Sequence, residues 1–254
     1  MASYDILGNL ALVKFPRKTS KTKKLEIAKK LLKQPSVTTV LEKTAKFKGR
    51  LRTLKTKFIS GINTKEALYR ENNCIFRFNV ETCYFSPRLA NERLELANQV
   101  KNQESVLVLF GGVAPFAIEI AKTKKQKKVI SIELGKECNK YAQDNIKRNK
   151  VQVELIQGDV KRVLPKLKEK FSRIIMARPN LKDLFLKETF PKAKKGTIIH
   201  FYGFCHENDL NKLVQQVQAE SKKAKRKIKI LKIKKAGDIA PYKYRYRIDF
   251  KVLN

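Results

Sequence analysis

Val106-Leu107-Val108-Leu109-Phe110-Gly111-Gly112-Val113-Ala114-Pro115-Phe116 decides the fold of this 254-residue chain. Its first five residues are apolar at every position rather than every second one, the mark of a strand buried on both faces of a parallel sheet. Two glycines then turn the chain into a helix whose first turn accepts Pro115. Outward from this stretch the theme repeats. Before it, Glu92–Val100 (ERLELANQV) reads as a helix with Leu94, Ala97 and Val100 inward, and Ala117–Ala121 continues as a helix after it. Strands at Val129–Glu133, Val153–Gln157, Arg173–Met176 and Thr197–Tyr202 alternate with helical segments at Asn139–Asn149, Arg162–Leu167, Leu184–Thr189 and Leu210–Glu220. Such alternation predicts a doubly wound α/β fold, Rossmann-like in its winding. At the end, Ile228–Ile233 and Tyr244–Val252 alternate apolar and polar residues around GDIAPY, which predicts an antiparallel hairpin closing one sheet edge.

The first part of the chain is different. Residues 1–70 carry 18 Lys+Arg against 4 Asp+Glu, yet keep ordered apolar patterning. Ile6–Phe15 reads as a strand pair, or as a strand with a turn at Gly8-Asn9, and Lys23–Lys33 as a helix with Leu25, Ala28, Leu31 and Leu32 on one face, ended by Pro35. Val37–Leu41, Gly49–Leu54 and Phe58–Ile62 read as three short β runs, giving a small α+β unit. We place this basic module at 1–80 and the α/β domain at 81–254.

Over the whole chain, 58 Lys+Arg against 23 Asp+Glu leave a net charge of +35, more than a core can absorb, so the surface is strongly positive and nucleic acid is the expected partner. No stretch approaches the roughly 18 uninterrupted apolar residues of a membrane span, and the start lacks the order of a signal peptide, so a cytoplasmic protein with no membrane partner is expected. The four cysteines, Cys74, Cys83, Cys138 and Cys205, are scattered, and His200 and His206 are the only histidines. No metal site is expected.

Three strand ends carry a ligand signal. The turn Phe110-Gly111-Gly112-Val113 lets a ligand approach the backbone closely. The next strand ends in Glu133, whose carboxylate can accept both hydroxyls of a ribose, and the third in Gly158-Asp159, whose acid can accept from an adenine amino group. Together they converge on one adenosine. The phosphate-binding fingerprints of NAD (G-x-G-x-x-G) and ATP (G-x-x-x-x-G-K-[ST]) are missing, which favours S-adenosylmethionine, an adenosine cofactor without phosphate.

At Tyr84-Phe85-Ser86-Pro87-Arg88-Leu89-Ala90-Asn91-Glu92-Arg93, preceded by Thr64-Lys65-Glu66 and Glu71-Asn72-Asn73-Cys74, the chain resembles the archaeal and eukaryotic tRNA (guanine-37-N1)-methyltransferases and their archaeal wyosine-pathway relatives. The likeness runs from Tyr4–Asn9 through FGGVAPF, Glu133, GDV and IHFYGF to APYKYRYRIDF, nearly the whole chain. It implies a class I S-adenosylmethionine-dependent methyltransferase domain behind a tRNA-docking domain that holds the anticodon stem-loop and body of tRNA; we assume a monomer. Tyr84, Phe85 and Arg88 would stand beside the methionine end of the cofactor, and Phe110, Gly111, Gly112, Val113, Glu133, Leu134, Asp159 and Val160 around its adenosine. Glu92 would be the base, Arg93 would steady the base oxygen, Arg52 would sit beside the target nucleotide's phosphate, and Pro179 beside the target base. A base is needed, because guanine N1 holds a proton that must leave as its lone pair attacks the methyl group.

Departures from the family pattern bear on cofactor and substrate. Val108 stands at the family's acid and Ala114 at its last glycine, where a left-handed alanine costs about 1–2 kcal/mol. Gly135-Lys136 replaces Asn-Pro after Glu133. In Met176-Ala177-Arg178-Pro179-Asn180, Ala177 occupies the place of the Asn that holds the target base, which leaves methylation of a tricyclic guanosine derivative at carbon, alone or in addition, as the alternative. A catalytically weak tRNA-binding protein is the third reading. Glu92 with Arg93 also fits the polar first turn of a helix, and Lys222–Lys235 also fits a solvated strand face.

Overall fold

The computed structural model describes residues 2–45 and 47–254. A four-stranded sheet, β1 (Ser3–Leu7), β2 (Leu10–Lys14), β3 (Thr39–Lys43) and β4 (Thr56–Gly61), comes first, with α1 (Lys21–Leu32) crossing between the parallel pair β2 and β3. Ala28 and Leu31 of α1 bury against Ala11, Val13 and Val40, while Leu10, Leu12 and Leu41 point through the other face into the main core. The strand pair around Gly8-Asn9 and the helix are as expected. Gly49–Leu54 is not a strand: positive φ at Gly49 and Arg52 folds it into tight turns closed by a single bridge between Lys48 and Thr53.

Next comes a separate hairpin, β5 (Glu66–Glu71) and β6 (Cys74–Asn79). Two strands alone are marginal in water, and asparagine amides complete this pair on both sides. On the β6 edge, Asn149 accepts from the Ile75 N–H (2.8 Å) and donates to its carbonyl (2.7 Å). Asn145 does the same for Arg77 at 2.7 and 3.1 Å. On the β5 edge, Asn9 accepts from the Leu68 N–H (2.7 Å) and donates to the Glu66 carbonyl (3.2 Å).

The rest is the expected α/β unit: α2 (Ala90–Gln99), β7 (Ser105–Leu109), α3 (Pro115–Lys122), β8 (Lys128–Glu133), α4 (Lys136–Asn149), β9 (Glu154–Gln157), α5 (Val160–Val163), β10 (Phe171–Met176), α6 (Leu186–Thr189), β11 (Ala193–His206), α7 (Leu210–Lys223), β12 (Ile228–Ala240) and β13 (Lys243–Val252). The seven strands lie in the order β12-β13-β11-β10-β7-β8-β9, parallel from β11 to β9, with β13 and β12 antiparallel at the edge as the terminal hairpin. Val106 and Val108 of β7 enter the core under α2, α3 and α4, whereas Leu107 and Leu109 enter the core under α5, α6 and α7. Both faces are covered, which is why that strand is apolar throughout.

One helix face differs from expectation. Leu94 is 42% exposed, and α2 instead buries Glu92, Arg93, Leu96 and Ala97. Ion pairing turns the helix: Arg93 sits between Glu71 (2.6 Å) and Glu119 (3.1 Å), and Glu92 meets Arg247 at 2.6 Å. Beneath the sheet a buried polar chain continues from there. Arg247 also bonds Asp249 (3.0 Å), which accepts from His200 Nδ1 (2.7 Å), and His200 Nε2 accepts from Arg173 (2.7 Å), itself paired with Glu104. Burial holds the His200 imidazole below its ordinary value, matching this neutral tautomer.

Candidate active site

Strand order reverses between β7 and β10, the place where an open α/β sheet leaves a crevice at its carboxyl edge. A cleft opens there, lined by residues following β7, β8, β9 and β10. The turn after β7 lies close against β8 and passes through the left-handed region. A side chain at Gly111 would run into Ser131 Oγ at 2.1 Å, so the turn can lie directly on β8, and Gly112 has φ +57°. Ala114 adopts the left-handed conformation (φ 66°, ψ 31°) at the start of α3, so the strain anticipated from the sequence is present.

Glu133, at the end of β8, anchors the inner wall. Its Oε2 accepts from the Gly112 N–H at 2.8 Å and its Oε1 from the Gly135 N–H at 2.7 Å. Burial pushes its carboxyl above the ordinary range, opposed chiefly by the backbone N–H groups of Gly135 and Gly112. Asp159 follows β9, capping α5 through the Lys161 N–H (3.0 Å) and meeting Arg50 of the first unit at 2.8 Å. Burial raises its carboxyl, but Arg50 and that N–H outweigh burial and leave it below the ordinary value. Phe110, Ile132, Leu134 and Val160 supply apolar walls beside these acids.

The other end of the cleft is aromatic and cationic. Tyr84 lies under Arg52, whose guanidinium carbon is 3.8 Å from the ring centroid, and Phe47 meets the same ring edge-on. After β10 come Ala177, Arg178 and Pro179. Arg178 donates to the carbonyls of Leu181 (2.5 Å), Asp183 (2.8 Å) and Tyr202 (3.3 Å), fixing the loop that carries Pro179. Burial lowers its guanidinium to about 10.

Arg52, Tyr84, Phe110, Gly112, Glu133, Leu134, Asp159, Val160 and Pro179 therefore share one cleft, as anticipated. Six other anticipated residues do not line it. Phe85 is stacked on Phe78 (4.8 Å) in the hairpin's aromatic core, Gly111 and Val113 are packed under the turn, and Arg88 is turned out to solvent toward Asp5 (3.6 Å). Arg93 is locked between its two glutamates and cannot reach a base oxygen from there. Glu92 lies one side chain behind the wall: Arg247 and Lys234 pair with it, and the hydroxyl of Tyr202, a cleft residue, donates to its Oε2 at 3.2 Å. Arg178, Tyr202 and Arg245 of the cleft were not singled out from sequence. Tyr202 could have been found, standing in the quoted IHFYGF string; Arg245 is one cation among many in a strand.

The cradle fits an adenosine without phosphates. Each Glu133 oxygen is held by one backbone N–H and keeps a lone pair for a ribose hydroxyl, and the glycine turn offers bare backbone.

The chain belongs to the TRM5/TYW2 methyltransferase family: the model of the TRM5/TYW2 methyltransferase domain matches residues 67–231, and that of the TYW2 N-terminal domain residues 1–64. Among its relatives, tRNA (guanine(37)-N(1))-methyltransferase Trm5b of Pyrococcus abyssi is 33% identical over 98% of this chain and 74% of its own length. The tRNA (guanine(37)-N(1))/4-demethylwyosine(37)-methyltransferase Taw22 of Nanoarchaeum equitans is 32% identical over 99% of this chain and its own whole length. The crystal structure of wild-type Trm5b from Pyrococcus abyssi superimposes with a TM-score of 0.88 over 99% of this chain and 75% of that one. The complex of aTrm5 with tRNALeu superimposes with a TM-score of 0.85 at 25% identity, covering 99% of this chain and 72% of that one.

Proposed function

We propose that this protein is a tRNA (guanine-37-N1)-methyltransferase that uses S-adenosylmethionine. The observation that carries the reading is the cleft itself. Glu133, held between the Gly112 and Gly135 N–H groups, shares one cleft with Tyr84 and Pro179, in a chain similar over nearly its whole length to Trm5b. The cofactor, when bound, supplies an electrophilic methyl group on a sulfonium. Glu133 takes the ribose, and Asp159, at the end of β9, faces the adenine. Guanine N1 becomes nucleophilic only as it loses its proton, and Glu92 accepts that proton through the hydroxyl of Tyr202. Because N1 lies on the pairing edge of a stacked base, the target nucleotide is extruded into the cleft. Residues 1–80 act as the tRNA-docking domain and 81–254 as the catalytic domain, as a monomer in the cytoplasm. No helix among the described residues is long and apolar enough to cross a membrane.

A second activity, methylation of the tricyclic guanosine derivative at the same position, is favoured by one observation. Ala177 leaves the cleft wall before Pro179 without an amide, and the relative Taw22 carries both activities in its name. Labelled methyl transfer from S-adenosylmethionine to unmodified transcripts with G or A at position 37 tests the main reading. N1-methylguanosine from the G37 transcript alone is expected; no transfer to G37 with cofactor binding intact would refute it.

A further inference from the structure

Three arginines of the cleft, Arg52, Arg178 and Arg245, have no carboxylate within ion-pair distance among the described residues, whereas the buried Arg93, Arg173 and Arg247 are each paired with one. Arg178 gives its two terminal nitrogens to three carbonyls, with only its Nε left without a partner among the described residues. Arg245 differs. It is only 7% exposed, in β13 facing the cleft, and its guanidinium makes neither a hydrogen bond nor an ion pair; its one polar-aromatic contact is with Phe204, 5.4 Å from the ring centroid. Arg52 reaches the same cleft from the first unit, also without a side-chain hydrogen bond, and burial together with the nearby Arg245 charge lowers its guanidinium from the ordinary value. Two guanidinium groups that line a cleft without a carboxylate partner are placed to take an anionic ligand.

We infer that Arg245 joins Arg52, the arginine that the family resemblance sets beside the target nucleotide's phosphate, in holding a phosphodiester of the substrate RNA at the mouth of the cleft. The fork of a guanidinium matches phosphate oxygens, and two facing forks match one phosphodiester. S-adenosylmethionine carries a sulfonium and an ammonium against one carboxylate, a net cation. A phosphodiester is therefore the better-matched anion for a pair of guanidinium groups, and cofactor binding is measured beside RNA binding to separate the two. The cleft's own carboxylates, Glu133 and Asp159, stand at the ends of β8 and β9 and are already engaged by backbone N–H groups and Arg50. An extruded nucleotide brings its flanking phosphates to the cleft mouth, where the two arginines from separate parts of the chain meet.

This assignment rests on the RNA substrate proposed above, and its test separates the two. A short hairpin RNA carrying the anticodon loop is bound to the full-length protein at several salt concentrations, intact and with single phosphates near position 37 replaced one at a time by neutral methylphosphonate. Arg245→Gln is expected to weaken binding about ten- to a hundred-fold and to reduce the steepness of the log-log salt plot by about one phosphate contact. One methylphosphonate position is expected to weaken the wild type to a similar extent and to leave the variant unaffected. Arg245→Lys keeps the charge and is expected to recover the salt slope with only part of the affinity. Since Arg245 makes no hydrogen bond or ion pair among the described residues, the substitutions disturb only its contact with the Phe204 ring, and melting temperatures within a few degrees of wild type check that the fold is kept. An unchanged salt slope in Arg245→Gln, or weakened S-adenosylmethionine binding with RNA binding intact, would overturn the assignment alone. Failure of the wild type to bind RNA would overturn the function and the assignment together.

Discussion

Glu133→Gln separates the cofactor cradle from everything else in the protein. A carboxylate offers about four lone-pair positions; two are used by the Gly112 and Gly135 N–H groups at 2.8 and 2.7 Å, and two remain for ribose hydroxyls. The amide keeps one oxygen. Its NH2 must then face one of the two backbone N–H groups, donor against donor, so one hydroxyl loses a charged acceptor. A hydrogen bond to a charged group contributes about 1.5–3 kcal/mol, which at about 1.4 kcal/mol per tenfold raises the S-adenosylmethionine Kd roughly ten- to a hundred-fold. Folding responds less. The unpaired N–H costs about 1–3 kcal/mol, but the substitution also removes a buried charge that burial already penalises, so the melting temperature falls by only a few degrees. Calorimetric titration with the cofactor measures the first effect and a thermal melt the second, with RNA binding as the control that does not move. A Kd within about threefold of wild type, with the melt unchanged, would refute the placement of the ribose on Glu133.

Other outcomes follow from the same geometry. Glu92→Gln is expected to lower the methyl-transfer rate by about 10²–10⁴ while cofactor affinity stays at the wild-type value; a rate loss below tenfold would remove Glu92 from the role of base. Ala177→Asn restores an amide beside Pro179 and is expected to shift the ratio of N1-methylguanosine to the methylated tricyclic product, measured on both RNAs; an unchanged ratio removes that position from substrate choice. Asn149→Leu leaves the N–H and carbonyl of Ile75 without their partner and is expected to lower the melting temperature by about 5 °C or more, read by calorimetry. Glu95, paired chiefly with Arg247 and also with Lys234, is held at about 2 against an ordinary 4.5. Its contribution is present above pH 4.5 and is lost as pH falls toward 2, so Glu95→Gln is expected to flatten the acid-unfolding curve over that interval.

Much of this was legible in the sequence because it is periodic. The run from Val106 to Phe110 had to be buried on both faces, and Glu133 and Asp159 mark strand ends, so the inner wall of the cleft follows from strand order alone. What was hidden depends on rotation and on distant partners. Leu94 looked inward because apolar spacing placed it there, yet Glu71, Glu119 and Arg247, far apart in the chain, pull Glu92 and Arg93 into the interior and turn Leu94 out. Gly49–Leu54 read as a strand because backbone turns at Gly49 and Arg52 leave no mark on apolar alternation. Arg88, in a motif string shared with the family, faces Asp5 rather than the cleft, a pairing no local pattern announces.

The asparagine brackets around the β5–β6 hairpin bear on how the protein behaves at high concentration. An open strand edge invites a second molecule to add its own strand, which is a route to aggregation. Here Asn9 occupies positions on one edge and Asn145 and Asn149 on the other, each amide presenting a donor and an acceptor as a neighbouring strand would. The hairpin is in effect sealed against strand addition by three side chains drawn from both ends of the molecule's first 150 residues, so loosening any of them would unmask a sticky edge before the protein unfolds.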